Sequence, residues 1–250
     1  MRIEHGGKRR LAILRLILSG VALLLAAHAG AAVRTLKLEI GGRAINVDVY
    51  LPDAAPTRGT VVIAHGFTRD RTTMRGHALA LAAAGEAVIV PDLPYLVDSR
   101  DNARALRDLL LLVDRGGLGH LPRRYVMIGF SAGGLSALLA SDAPGVAGYI
   151  GLDPFDRPSH VGLDAARQLL VPAYLLRGPS RACNAYSIAE PWVAALPELR
   201  EDRVLHGATH CDFESPTDRL CEFVCGDASP TEQAEVRSFI LRSVEEIIAP

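Results

Sequence analysis

Tyr125-Val-Met-Ile-Gly-Phe-Ser-Ala-Gly-Gly134 is the stretch on which the fold turns. Tyr125–Ile128 is a short apolar run of the kind that forms a strand buried on both faces of a sheet. Gly129-Phe130-Ser131-Ala132-Gly133 follows at once, and Ala132–Ser141 continues with helical length. A Gly-x-Ser-x-Gly between strand and helix forces a sharp turn that presents the serine hydroxyl. Its glycines leave room for the close approach of strand and helix. The pentapeptide alone is only moderately specific, because Gly and Ser are common turn residues. The strand before it and the helix after it give it weight.

Outward from this turn the chain repeats the same alternation. Thr60–Ala64, Ala87–Val90, Val146–Leu152, Ala173–Leu176 and Arg203–Leu205 are further short runs of strand type. Thr72–Ala84, Asp101–Arg115 and Thr231–Ile248 are amphipathic and long enough for helices. Strand alternating with helix predicts an α/β architecture, a mostly parallel doubly wound sheet with loops of chemical interest at the strands' carboxyl ends. Ahead of it, Arg34–Ile40 and Ala44–Leu51 alternate apolar and polar residues around Gly41-Gly42, which predicts an N-terminal hairpin. The stretch 154–171 has room for at most one helix, so little or no lid is expected.

With Ala64-His65-Gly66-Phe67-Thr68 upstream and His210 downstream, the Ser131 turn resembles the α/β-hydrolase superfamily over nearly all of residues 32–250. Gly151-Leu-Asp-Pro-Phe-Asp156 and Pro179-Ser-Arg-Ala-Cys-Asn-Ala185 are most similar to the chlorophyllase, platelet-activating-factor acetylhydrolase and cutinase-like polyesterase branch. The resemblance implies a serine hydrolase of carboxylic esters, acting on a small-molecule or polymeric ester without a cofactor. It also implies an oxyanion hole formed by the backbone N–H groups of Phe67 and Ala132. Phe67, Phe130 and Phe155 are the expected pocket residues.

A serine hydroxyl needs a neighbouring base. His210 is the expected one, because it lies past the Arg203–Leu205 run and before the last helix, in the order Ser…Asp…His. His65 is expected to fix the oxyanion loop, and His77 falls in a helix. The acid is harder to place. Many members of the superfamily carry it after the strand assigned to Ala173–Leu176, but Arg177–Ala189 contains no carboxylate. Asp153, at the end of the preceding strand, is therefore expected, with Asp156 as the alternative. Asp92 and Asp98 precede the serine, Asp212 reads as a loop brace, and Trp192 reads as core. An acyltransferase or thioesterase with the same site, or a non-catalytic binding protein, are the competing readings.

Residues 1–31 read as a secretory signal, and 32–250 as a single domain. Lys8, Arg9 and Arg10 precede an apolar run, Leu16–Ala27, and small residues follow it. That run is shorter than the roughly 20 residues that span a bilayer, so no retained span is expected. The expected destination is the periplasm or the medium. There Cys183, Cys211, Cys221 and Cys225 are free to form two disulfides around His210, in one of three pairings. Zinc is the weaker reading, since paired Cys-x-x-Cys knuckles are absent. A net charge of -1 argues against nucleic acid as a partner. No phosphate loop, dinucleotide fingerprint or His-Glu-x-x-His occurs.

Overall fold

The computed structural model describes residues 31–55, 58–157 and 159–249; the signal read in residues 1–31 lies outside them except for Ala31. Strands β1 (Ala32–Ile40) and β2 (Arg43–Leu51) form the expected hairpin. Gly41 and Gly42 join them at φ of 59° and 72°, the two left-handed positions that a tight two-residue turn requires. Next come β3 (Thr60–Ala64), a 3-10 turn at Arg71–Met74, α1 (Arg75–Ala83), β4 (Ala87–Pro91), α2 (Ser99–Asp114), β5 (Tyr125–Phe130) and α3 (Ala132–Ala140). Then follow β6 (Val146–Leu152), α4 (Val161–Gln168), β7 (Ala173–Arg177), a short α5 (Trp192–Ala195) and β8 (Leu199–Val204). The chain ends with a 3-10 turn at His210–Phe213, α6 (Arg219–Cys225) and α7 (Pro230–Ile248).

The eight strands among the described residues lie in one sheet, ordered β1-β2-β4-β3-β5-β6-β7-β8. β3 to β8 run parallel, and β2 is antiparallel to both its neighbours. Burial on both faces follows from the apolar runs. In β5, Tyr125 and Met127 face one core layer with Leu106 and Leu109 of α2, Leu135 of α3 and Trp192 of α5. Val126 and Ile128 face the other, with Leu81 of α1 and Phe239 and Val244 of α7. The period-two alternation thus divides the core into two layers with the sheet between them.

The topology also decides where a site can form. From β3 the chain moves outward to β4 and then returns to β5 on β3's other side, so the strand order reverses between β3 and β5. At such a point the loops leaving the carboxyl ends diverge and leave a crevice. Ser131 follows β5, and His65 follows β3.

Two expected elements differ. The last strand is Leu199–Val204 rather than Arg203–Leu205. It is the sheet edge and only partly buried, so Leu-Arg-Glu-Asp-Arg-Val carries charges where an interior strand would be apolar. The expected helix Thr72–Ala84 divides into a 3-10 turn, whose first amides Asp70 caps, and α1. α6 has no counterpart in the expected elements. No helix among the described residues is long and apolar enough to cross a membrane.

Candidate active site

Ser131 sits between β5 and α3 at φ 52° and ψ -123°, a strained conformation for a residue with a side chain. Its neighbours hold it there. The Ser131 N–H donates to Leu152 O at 3.0 Å, and its carbonyl accepts from Phe155 N at 3.0 Å. A Cβ on Gly129 would stand 2.3 Å from Gly133 O, and one on Gly133 would stand 2.2 Å from His65 O. Only glycine permits this approach of β5, α3 and the His65 loop.

Three side chains from three strand ends meet here. Ser131 Oγ lies 3.0 Å from His210 Nε2, and His210 Nδ1 lies 2.6 Å from Asp153 Oδ2. A nitrogen this close to a carboxylate carries the proton, so Nδ1 donates to Asp153 and Nε2 accepts from the serine hydroxyl. The Phe130 ring packs against the imidazole with centroids 4.7 Å apart. Asp153 is buried and follows β6 at φ 39°. Its Oδ1 accepts from Gly178 N at 3.0 Å and from Asn184 Nδ2 at 3.2 Å.

Asp156 has a different set of partners. It accepts from Trp192 Nε1 at 2.9 Å and from the backbone N–H groups of Arg157, Gly162 and Leu163, which fastens the start of α4 to α5. Asp212 accepts from Thr209 N at 2.7 Å and Ser229 N at 2.6 Å and so braces the turn that starts at His210. His77, wholly buried in α1, donates through Nε2 to Phe213 O at 3.1 Å and steadies the same turn. Burial lowers its pKa to about 4, so it stays neutral.

His65 is also held neutral by burial. Its Nε2 accepts from Leu93 N at 2.8 Å and its Nδ1 donates to Gly66 O at 2.9 Å, which ties the loop after β3 to the loop after β4. A Cβ on Gly66 would come within 3.3 Å of Ser131 Cβ, so this loop lies directly over the serine. Phe67 follows in it, half exposed. Ala132 is the first residue of α3, where a backbone N–H has no partner within the helix.

Above the serine opens a cleft of about 900 Å³, lined by Phe67, Phe130, Phe155, Leu96, Val97 and, from α6, Leu220 and Val224. Arg69 and Glu214 form a bidentate pair in its wall, at 2.6 and 2.9 Å. Burial pushes the Glu214 carboxyl above its usual value, and the Arg69 guanidinium pulls against that shift. Disulfides Cys183–Cys225 and Cys211–Cys221 both end on α6. The sulfurs of Cys211, Cys221 and Cys225 therefore cluster within 4.8 Å, and no free cysteine remains among the described residues to ligate zinc.

No protein-family model and no curated protein matches the sequence. Solved structures do. Est1E from Butyrivibrio proteoclasticus superposes with a TM-score of 0.64 at 17% identity, over 86% of this chain and 99% of that one. A dienelactone hydrolase from Anabaena variabilis gives 0.64 at 17%, over 85% and 98%. A predicted CIB-like hydrolase from Thermoplasma acidophilum gives 0.62 at 17%, over 84% and 97%. The fold is that of the α/β hydrolases. At such identity the likeness carries the architecture alone, and any chemistry has to be argued from the site.

Within this α/β-hydrolase fold the structure brings together Ser131, His210 and Asp153, and it places Phe67, Phe130, Ala132 and Phe155 around them. Asp156 stays with Trp192 instead. Sequence reasoning missed Asn184, the Arg69–Glu214 pair and the α6 wall. Only α6 left a signal, in the Asp218 that caps it and the cysteines at both ends of its last turn.

Proposed function

We propose that the protein is a serine hydrolase that cleaves carboxylic esters. The observation that carries this reading is the unbroken hydrogen-bond chain Ser131–His210–Asp153 at the floor of an apolar cleft. Ser131 Oγ attacks the ester carbonyl while His210 Nε2 takes its proton. Asp153 holds the imidazole in the required tautomer and stabilises the imidazolium without accepting its proton. The N–H groups of Phe67 and Ala132 face the developing oxyanion, a contribution typically of about 3 kcal/mol per donor. His210 then returns the proton to the departing alcohol, and water resolves the acyl-enzyme by the same steps.

The cleft's composition supports an apolar acyl or alcohol group. An acid placed after β6, rather than after β7, supports the chlorophyllase and acetylhydrolase branch over others of this fold. Two disulfides, together with the signal read in residues 1–31, support export to an oxidising compartment.

Intact-mass analysis after treatment with a fluorophosphonate tests the reading. One adduct per wild-type chain, absent from folded Ser131→Ala, is the expected result. Wild-type protein that folds but takes no adduct would point to a binding role and overturn it.

A further inference from the structure

Asn184 lies outside the hydrogen-bond chain just described, yet it is buried, and both ends of its amide have partners. Its Oδ1 accepts from Arg181 N at 3.0 Å and from Ser187 N at 3.1 Å. Its Nδ2 donates to Pro179 O at 2.9 Å and reaches across both oxygens of Asp153, at 3.2 and 3.4 Å. The neighbours decide the amide's orientation. Turned over, it would set its oxygen against a carboxylate and its N–H₂ against two backbone N–H groups.

The backbone on either side is immobilised. Cys183 is tied to α6 by its disulfide with Cys225. Ala185, Tyr186 and Ser187 follow at φ of 47°, 58° and 60°, three successive side-chain-bearing residues in the left-handed region. A segment tethered on one side and held in an avoided conformation on the other has little freedom to withdraw the amide. Asp153 needs such a partner, because its own backbone is left-handed and Gly178 N is the sole backbone donor to its carboxylate among the described residues.

We propose that Asn184 is a positioning residue for Asp153, holding the carboxylate so that Oδ2 faces His210 Nδ1. The proposal rests on the reading of Ser131, His210 and Asp153 as a catalytic triad. An asparagine suits this place where an aspartate does not. Aspartate would still accept from Arg181 N and Ser187 N, and so keep the turn, but it would present an oxygen to Asp153 where a donor is needed.

That difference separates positioning from mere support of the loop. Asn184→Asp and Asn184→Ala are compared with wild type on a p-nitrophenyl ester, with kcat expressed per serine titrated by prolonged fluorophosphonate treatment, so that unfolded chains do not count. Both variants are expected to lose about tenfold or more in kcat, with KM changed by no more than about twofold, since the carboxylate is displaced and the cleft is not. A purely structural role predicts that Asn184→Asp, which keeps both turn bonds, works at the wild-type rate while Asn184→Ala suffers. That pattern overturns the proposal while the triad stands. A wild-type protein without a titratable serine overturns the triad reading itself.

Discussion

The two walls of the cleft are built on different principles. On the Ser131 wall, β3, β5 and α3 lie so close that a single methyl group has nowhere to go, and rigidity comes from steric exclusion. On the α6 wall no residue of the helix is buried, and Leu220, Phe223 and Val224 are exposed. That helix is held by two disulfides, a side-chain cap and little else. One wall is locked by packing and the other by covalent staples. The first should therefore fail as a unit with the fold, while the second should be separable from it.

The largest effect is expected from Gly133→Ala. Its methyl would stand 2.2 Å from His65 O and 2.5 Å from Ala64 O, both backbone atoms at the carboxyl end of β3. Relief requires α3 and β3 to part, at a cost of about 3 kcal/mol or more. Denaturant unfolding should show that loss, and esterase activity should fall by at least about a hundredfold as the serine moves. A variant that melts and turns over like wild type would mean that the Ser131 wall is more compliant than its contacts imply.

The stapled wall answers to a different perturbation. Cys183 and Cys225 close 42 residues of chain, and Cys211 and Cys221 close 10. In chain-entropy terms their removal costs about 4 and about 3 kcal/mol respectively. The double variant Cys183→Ala/Cys225→Ala should still unfold in one cooperative transition, because the sheet's packing is untouched. Its kcat should fall, because Asn184 lies beside the lost bond. Loss of the sheet's circular-dichroism signal in step with activity would show that the two walls are not separable after all.

His77 joins α1 to the turn of His210, where it bonds Phe213. Its buried Nδ1 has no hydrogen-bond partner among the described residues, so a proton there would gain nothing in the folded state. Its pKa falls from 6.5 to about 4 on folding. Between those values the unfolded chain binds a proton that the folded chain does not. Stability is therefore intact above pH 6.5 and is lost as pH falls towards 4, by on the order of 3 kcal/mol. His77→Gln keeps a neutral donor towards Phe213 O and removes the titration. The stability gap between wild type and variant should shrink by that amount from pH 7 to pH 4; a constant gap would exclude His77 as the acid-sensitive group.

What could be read in advance follows the same division. The Ser131 wall was legible because its determinants are local: an apolar run, glycines at fixed spacing, and a helix directly after. β8 was shifted because an edge strand is charged, and its pairing with β7 depends on residues such as Arg177 and Asp202, 25 positions apart. Asp153 and Asp156 carry the same chemistry three residues apart, and Asp156 is engaged elsewhere, by Trp192, 36 positions on, and by the backbone at the start of α4. Asn184 stands within the Pro179–Ala185 segment, but its role is not readable there, since its meaning lies in a carboxylate 31 residues earlier. α6 is only seven residues long, too short for the helical spacing of Leu220, Phe223 and Val224 to stand out, and covalent bonds rather than a core hold it in place.

The smallest effect tests whether that helix has a role in selecting substrate. Leu220 and Val224 line the cleft from α6 yet are largely exposed, at 64% each, so they have little to contribute to stability. Leu220→Ser/Val224→Ser should change unfolding free energy by less than about 0.5 kcal/mol per site. Against a short ester, which reaches only the floor around Ser131, kcat/KM should hold. A long acyl chain running towards α6 would lose apolar contact, each buried methylene being worth about 0.8 kcal/mol, so its kcat/KM should drop several-fold. The ratio of octanoate to acetate hydrolysis is thus the quantity to follow. A lowered ratio at unchanged stability would assign substrate selection to the stapled wall. An unchanged ratio would leave selection to the other lining residues, Phe67, Phe130 and Phe155 among them, and α6 to anchor Asn184 and the His210 turn.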